Sequence, residues 1–251
     1  MVSFSLENLS IATGFPFGRY HYTMHGPYLG KVPVLIGVIY VALGYVCWIT
    51  ASVLLDGADQ RLGRTNRPRR VDVLALPALA AALMTIFDLG SDSIASTVRH
   101  LWIWDRGGGV FGVPWTNYVG WWFVTFLYYQ GFALFLSSRQ DSVRRPATVG
   151  REPLAQAVVL YLLLGLGSIP AFMRAPPGTV VDASGATWNA QALYETMMTV
   201  NLFGAVLLAL LALTKLADGV SPDPDVATDR SHSNLPAPSQ PQLKPWSADS
   251  L

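Results

Sequence analysis

The chain has 251 residues, of which 51% are hydrophobic and only 13% are charged, and its formal net charge is +1. A soluble domain carries about 25% charged residues, so an ordinary soluble globule is excluded, and the balanced charge gives no reason to expect a nucleic-acid partner. The single cysteine, Cys47, lies inside an apolar run, which excludes a disulfide framework or a cysteine metal cluster.

Residues 1–31 are expected to form an external, interfacial segment. No charged start is followed by an apolar block there, so no cleavable signal is expected. Glu7 lies upstream of the string GFPFGRYHYT, which reads as a turn-rich aromatic stretch. His21 and His25 are four apart, but no HExxH arrangement accompanies them, and no metal is expected.

A helix needs roughly 20 apolar residues to cross the hydrocarbon core. Five stretches qualify: Val32 to Leu55, Val71 to about Gly90, Tyr118 to Ser137, Leu154 to Met173 and Glu195 to Leu216. Their apolar runs are continuous rather than alternating, which selects helices over a barrel. The expected fold is all-α: a polytopic transmembrane bundle of about five helices over residues 32–216. The Pro/Ser/Asp-rich tail, 217–251, cannot bury enough apolar surface to offset its ordering entropy and is expected to be disordered.

Orientation follows from lysine and arginine. The segment 56–70 holds Arg61, Arg64, Arg67, Arg69 and Arg70, and the segment 138–153 holds Arg139, Arg144, Arg145 and Arg151. With Lys215, Arg230 and Lys244 these make twelve, against five (Arg19, Lys31, Arg99, Arg106, Arg174) on the other side. The positive-inside rule then puts the N-terminal segment outside and the tail in the cytoplasm, in a multi-pass protein of the cell (inner) membrane.

An ionisable group inside a span is costly and is by default a functional-site hypothesis. The string TIFDLGSDS offers Asp88 and Asp92, four apart and so on one helix face at the outer end. Two carboxylates this close cannot both ionise cheaply in a poorly solvated site, so one of them is expected to act as an acid. The plainer reading is a helix end in the headgroup region, with Asp92 hydrated and Asp88 bonded to a neighbour.

The next loop, HLWIWDRGGGVFGVPWTNYVGWW, contains five of the eight tryptophans. An interfacial aromatic belt accounts for Trp121 and Trp122. It accounts less well for a Gly-rich hairpin carrying Trp102, Trp104 and Asp105, which suits a lid folded back over the bundle. The three consecutive glycines are not read as a phosphate loop, because no strand is expected before them and no Lys-Ser/Thr follows. Asn117 is expected to cap the third helix in preference to binding substrate or water. Glu195 opens the fifth stretch, where the helix dipole favours an acid. Glu7, Asp88, Asp92, Asp105 and Glu195 all fall on the outer side, and a carboxylate-and-aromatic cluster there is the candidate active site.

Taken together, GFPFGRYHYT, KVPVLIGVIYV, FDLGSDS and LWIWDRGGGVFGVPWTNYVGWW resemble the membrane-bound carotenoid hydratases of bacteria and archaea. These are of the γ-carotene 1′-hydratase and bisanhydrobacterioruberin hydratase type, the "carotenoid biosynthesis proteins". The resemblance runs from about Glu7 to Leu216. Family members usually carry further hydrophobic helices ahead of the Pro-Phe-Gly-x-Tyr segment, so this chain is expected to be N-terminally short beside them. The resemblance implies addition of water to the terminal isopropylidene double bond of an acyclic carotenoid of the lycopene or γ-carotene type, without a cofactor. It implies Asp88, Asp92 and Glu7 as catalytic groups, with Tyr20, Tyr22, Trp102, Trp104, Asn117 and Trp121 against the substrate. Asp105 and Glu195 are further candidates. Expected partners are the carotenoid, membrane lipid and other carotenoid enzymes. An acid-catalysed cyclase or isomerase, and a non-catalytic carotenoid-binding membrane partner, are the alternatives.

Overall fold

The computed structural model describes residues 2–62, 70–139 and 150–218. The expected disordered tail lies outside the described residues from 219 onward, as do Arg64, Arg67, Arg69, Arg144 and Arg145.

The chain opens with a short helix, α1 (Val2–Thr13), and then a strand, β1 (Tyr20–Tyr22), where sequence reading gave only a turn-rich segment. A two-residue ribbon, β2 (Tyr28–Leu29) with β3 (Val32–Pro33), leads into α2 (Val34–Leu54). After the short α3 (Ala58–Arg61) comes α4 (Arg70–Leu89), continued past a turn at Gly90-Ser91 by a π-helical segment, Ile94–Val98. Strand β4 (Trp102–Trp104) precedes α5 (Trp115–Arg139). Helices α6 (Arg151–Leu166) and α7 (Ser168–Met173) form one span interrupted at Gly167. A hairpin, β5 (Thr179–Val181) with β6 (Thr187–Asn189), joins it to α8 (Ala190–Asn201), a second π-helical segment (Leu202–Val206) and α9 (Leu207–Asp218).

Five helices are therefore long and apolar enough to cross a bilayer: Val34–Leu54, Val71–Val98, Trp115–Arg139, Arg151–Met173 and Ala190–Asp218. The protein is a multi-pass, all-α membrane protein. One boundary is corrected: the fifth helix begins at Ala190, not Glu195, because the Asn189 side chain accepts the Ala192 N–H and caps it there. The β5–β6 hairpin was not expected either.

The buried spine of the bundle is α4, whose Leu76, Ala80, Ala81, Leu83 and Met84 are fully enclosed. Lipid supplies no hydrophobic force between helices, so close packing and interhelical hydrogen bonds hold them together. Tyr161 on α6 donates to the Leu83 carbonyl at 2.7 Å, and Tyr129 on α5 donates to the Gly44 carbonyl on α2 at 2.8 Å. Residues such as Val41, Leu163 and Phe203 point outward, as a lipid-facing surface requires.

The candidate site sits at the end of the bundle where α2 begins, α4 finishes and α5 begins. The opposite end carries an ion-paired corner, where Arg61 meets Asp72 at 2.9 Å and Lys215 meets Asp56 at 2.8 Å.

Candidate active site

Two short strings with alternating aromatics make the roof. Tyr20-His21-Tyr22 pairs antiparallel with Trp102-Ile103-Trp104, with Tyr20 opposite Trp104 and Tyr22 opposite Trp102. Successive strand residues point to opposite faces, so the four rings share one face, and His21 and Ile103 take the other. Tyr20 and Trp104 have ring centroids 4.8 Å apart, and Tyr22 and Trp102 6.0 Å. The GFPFG turn seats this ribbon on α5. There Gly120 leaves room for Pro16 and Phe17, since a Cβ would stand 2.8 Å from the Phe17 ring, and Thr116 donates to the Phe17 carbonyl at 3.0 Å.

Beneath the roof the second span supplies both aspartates. The helix does not run unbroken between them, as the four-residue spacing suggested, but turns at Gly90-Ser91. The turn is held from α8: Asn201 donates to the Gly90 carbonyl at 2.8 Å, and a Cβ on Gly90 would lie 2.5 Å from that amide. The carboxylates nevertheless converge. Asn117 Nδ2 donates to Asp88 Oδ2 at 2.9 Å and to Asp92 Oδ2 at 2.8 Å, and Trp102 Nε1 donates to Asp92 Oδ1 at 2.8 Å. Asp88, Asp92 and Asn117 are all buried. Asn117 is the third residue of α5 and not its cap, and both of its amide hydrogens go to the carboxylate pair.

Glu7 comes from α1 and is also buried. Tyr40 donates to its Oε1 at 2.8 Å and Tyr22 to its Oε2 at 3.2 Å. Burial pushes the Glu7 carboxyl up from its ordinary 4.5 to about 7, with the two tyrosine hydrogen bonds pulling the other way. Burial, and then the charge of Glu7, hold the Tyr22 hydroxyl well above its usual 10, so it remains a donor.

These groups line one cavity of about 210 Å³, together with apolar side chains of α2 and with Trp121. Trp121 is not merely part of an interfacial belt, since its ring stacks on Tyr40 at 4.9 Å and 3°. Trp115, 67% exposed, and Trp122, stacked on Phe126, stand outward. On α2 the lining residues Ile36, Ile39, Tyr40 and Leu43 follow the one-face spacing of a helix.

The sequence candidates thus divide. Glu7, Tyr20, Tyr22, Asp88, Asp92, Trp102, Trp104, Asn117 and Trp121 all line the cavity. Asp105 lies on the far face of the ribbon, exposed and 3.3 Å from His21 Nδ1. Glu195 is exposed on α8 and does not line the cavity. Sequence reading passed over Tyr40. Its hydroxyl in an apolar span was a signal, but Tyr45 on the same helix gave the same signal and faces outward. The Gly-rich loop does fold back, tied down by Ser93 and Thr97, which donate to the Val110 and Phe111 carbonyls at 3.0 and 2.6 Å.

Among curated proteins, the bisanhydrobacterioruberin hydratase of Haloarcula japonica is 29% identical over 125 residues, 48% of this chain and 38% of that protein. The match therefore spans well under half of the relative's length. No solved structure matches. A family model described as carotenoid biosynthesis protein matches residues 1–182. That range includes every residue lining the cavity, and the chain belongs to the carotenoid biosynthesis protein family.

Proposed function

We propose that this protein hydrates the terminal isopropylidene double bond of an acyclic carotenoid, of the lycopene or γ-carotene type, forming a tertiary alcohol. The observation that carries the reading is a buried aspartate pair, clamped by Asn117 and Trp102, under an aromatic roof in an otherwise apolar cavity.

Hydration needs an acid, a surface for a cation and a base for water. Asp92 accepts a donor on each oxygen, whereas Asp88 accepts only on Oδ2, leaving Oδ1 without a protein donor among the described residues. Asp88 is therefore assigned as the acid: its proton goes to the alkene CH carbon, the π pair forms the new C–H bond, and a tertiary cation results. Asp92, which accepts one hydrogen bond on each oxygen, faces that cation. Trp102, Trp104, Tyr20 and Tyr22 offer ring faces to it, each worth up to about 2 kcal/mol when desolvated. Water attacks the cation, and its released proton passes to Glu7, whose affinity near neutral pH suits an acceptor. Return of that proton from Glu7 to Asp88 through water in the chamber resets the acid, and the balance is one water added.

The size of the cavity, about 210 Å³, fits an end group and not a whole polyene. Ile39 lines it and is 41% exposed on the outward side of α2, which favours lateral entry from lipid. Family membership supports carotenoid biosynthesis, and other enzymes of the same lipid-borne substrates are the natural neighbours. The arginine bias supports placing the cavity end outside the cell and the Arg61 and Lys215 end in the cytoplasm.

The test is the origin of the oxygen. Membranes containing the protein, incubated anaerobically with lycopene in labelled water, are expected to yield a tertiary alcohol carrying the label. Oxygen drawn from dioxygen, or an oxygen-free cyclised product, would rule out hydration. Failure to convert any of several acyclic carotenoids would favour the non-catalytic partner.

A further inference from the structure

Behind the aromatic roof lies a second cavity, of about 160 Å³, lined by Ser96, Thr97, His100, Ile103, Gly112 and Asp182 with their neighbours. Its walls offer hydroxyls, an imidazole and a carboxylate, where the first cavity is mostly rings and aliphatic chains. The β1–β4 ribbon divides the two. Ile103, on the face away from the reaction chamber, lines the second cavity, and Trp104 lines both.

Trp104 is the informative residue. It is 4% exposed, and its Nε1–H finds no acceptor among the described residues. The benzo edge of the ring packs on Gly18, where a Cβ would stand 3.2 Å from Cζ3, so the N–H edge points away from that contact. A buried donor without a protein partner calls for water. The second cavity has room for several waters, each occupying roughly 30 Å³ in the liquid. The two chambers are also linked through one stretch of backbone, since Ser96 donates to the Asp92 carbonyl at 2.8 Å.

Hydration consumes water in a chamber whose apolar mouth a carotenoid would fill. We propose that the second cavity is the water store of the enzyme, and that water reaches the cation past Trp104, held there by its indole N–H. This rests on the hydratase reading and adds a separate route for the second substrate. The polyene comes from lipid and the water from the opposite side of the ribbon.

The experiment uses lycopene turnover in deuterated, oxygen-labelled water. It reads two quantities: the labelled alcohol, and the deuterium in recovered or isomerised alkene. A cation denied water loses a proton and returns an alkene, so deuterium in the alkene records protonation without capture. Ile103→Phe fills the second cavity without altering the lining of the first. It is expected to lower the ratio of alcohol to deuterated alkene at least about fivefold, whereas Ile103→Ala keeps the parent ratio. Trp104→Phe, which retains an aromatic ring and deletes the N–H, is expected to lower the ratio too, and serves if Ile103→Phe fails to accumulate. An unchanged ratio in either accumulated variant overturns the water route. Absence of alcohol from the parent protein would instead overturn the hydratase reading itself.

Discussion

Both amide hydrogens of Asn117 are committed to Asp88 and Asp92, so this one side chain fixes the distance between the two carboxyls. Asn117→Ala is expected to cost roughly 0.5–1.5 kcal/mol per hydrogen bond lost, read as a lower unfolding midpoint in detergent together with lost turnover. Asp88→Asn keeps an acceptor for Asn117 but has no proton to deliver. It is expected to cut product by about 10²–10⁴-fold, the usual worth of a positioned acid, while the protein still accumulates in membranes. Near-parent hydration by Asp88→Asn would remove it from the mechanism. Glu7 gives a pH signature. Its carboxyl rises from 4.5 to about 7 on folding, so the folded chain binds this proton more tightly than the unfolded chain. The stabilisation is fully present below about 4.5 and is lost as pH rises through about 7. In Glu7→Gln that slope should vanish, so between pH 5 and pH 8 the unfolding midpoint of the parent is expected to fall more steeply than that of the variant. Parallel slopes would mean that Glu7 is already ionised in the fold.

Among the elements, the five spans were legible because length and apolarity alone define them: twenty residues of helix match the bilayer whatever they pack against. The β1–β4 ribbon was half legible. YHY and WIW each alternate, but Tyr20 pairs with Trp104, far along the chain, and no local pattern in a sequence names a distant partner. Asp88 and Asp92 come together by a route other than the one their spacing implies. An unbroken helix places four-apart residues together, yet the carboxylates meet across the Gly90-Ser91 turn, which Asn201 maintains from another span. Gly90→Ala would drive a methyl into the Asn201 amide. Overpacking of this kind costs about 1–3 kcal/mol, and Asn201→Ala combined with it should recover part of that loss, a coupling that a double-mutant cycle measures. Strictly additive losses would separate the turn from Asn201. Asn117 was misassigned because its place in the first turn of α5 permits a cap, and only the neighbouring span shows what it holds.

Across the whole molecule, the two ends of the bundle differ in chemistry. At one, Arg61 donates to the Leu55 carbonyl and Lys215 to the Leu54 carbonyl, closing the last turn of α2 with cations as its dipole favours. At the other stand the carboxylates and the aromatic ribbon. A cysteine at Thr187, exposed on β6, should react with an impermeant maleimide in intact cells, and one at Ser138, exposed near the end of α5, only after permeabilisation. The reverse pattern would overturn the arginine-based orientation. The cavity has a kinetic corollary. On the proposed hydratase reading, a chamber of about 210 Å³ would grip one terminus while the remainder of the polyene stayed dissolved in the bilayer. Processing the far terminus then requires release, reversal and rebinding. Conversion of a symmetric carotene would then be distributive: time courses are expected to show the mono-alcohol rise, leave the protein as a free membrane species, and decline only once the parent hydrocarbon is depleted. Such an intermediate would be open to capture by any neighbouring enzyme, so the depth of this pocket, by setting how long the half-finished pigment stays at large, would influence which pigments the membrane contains.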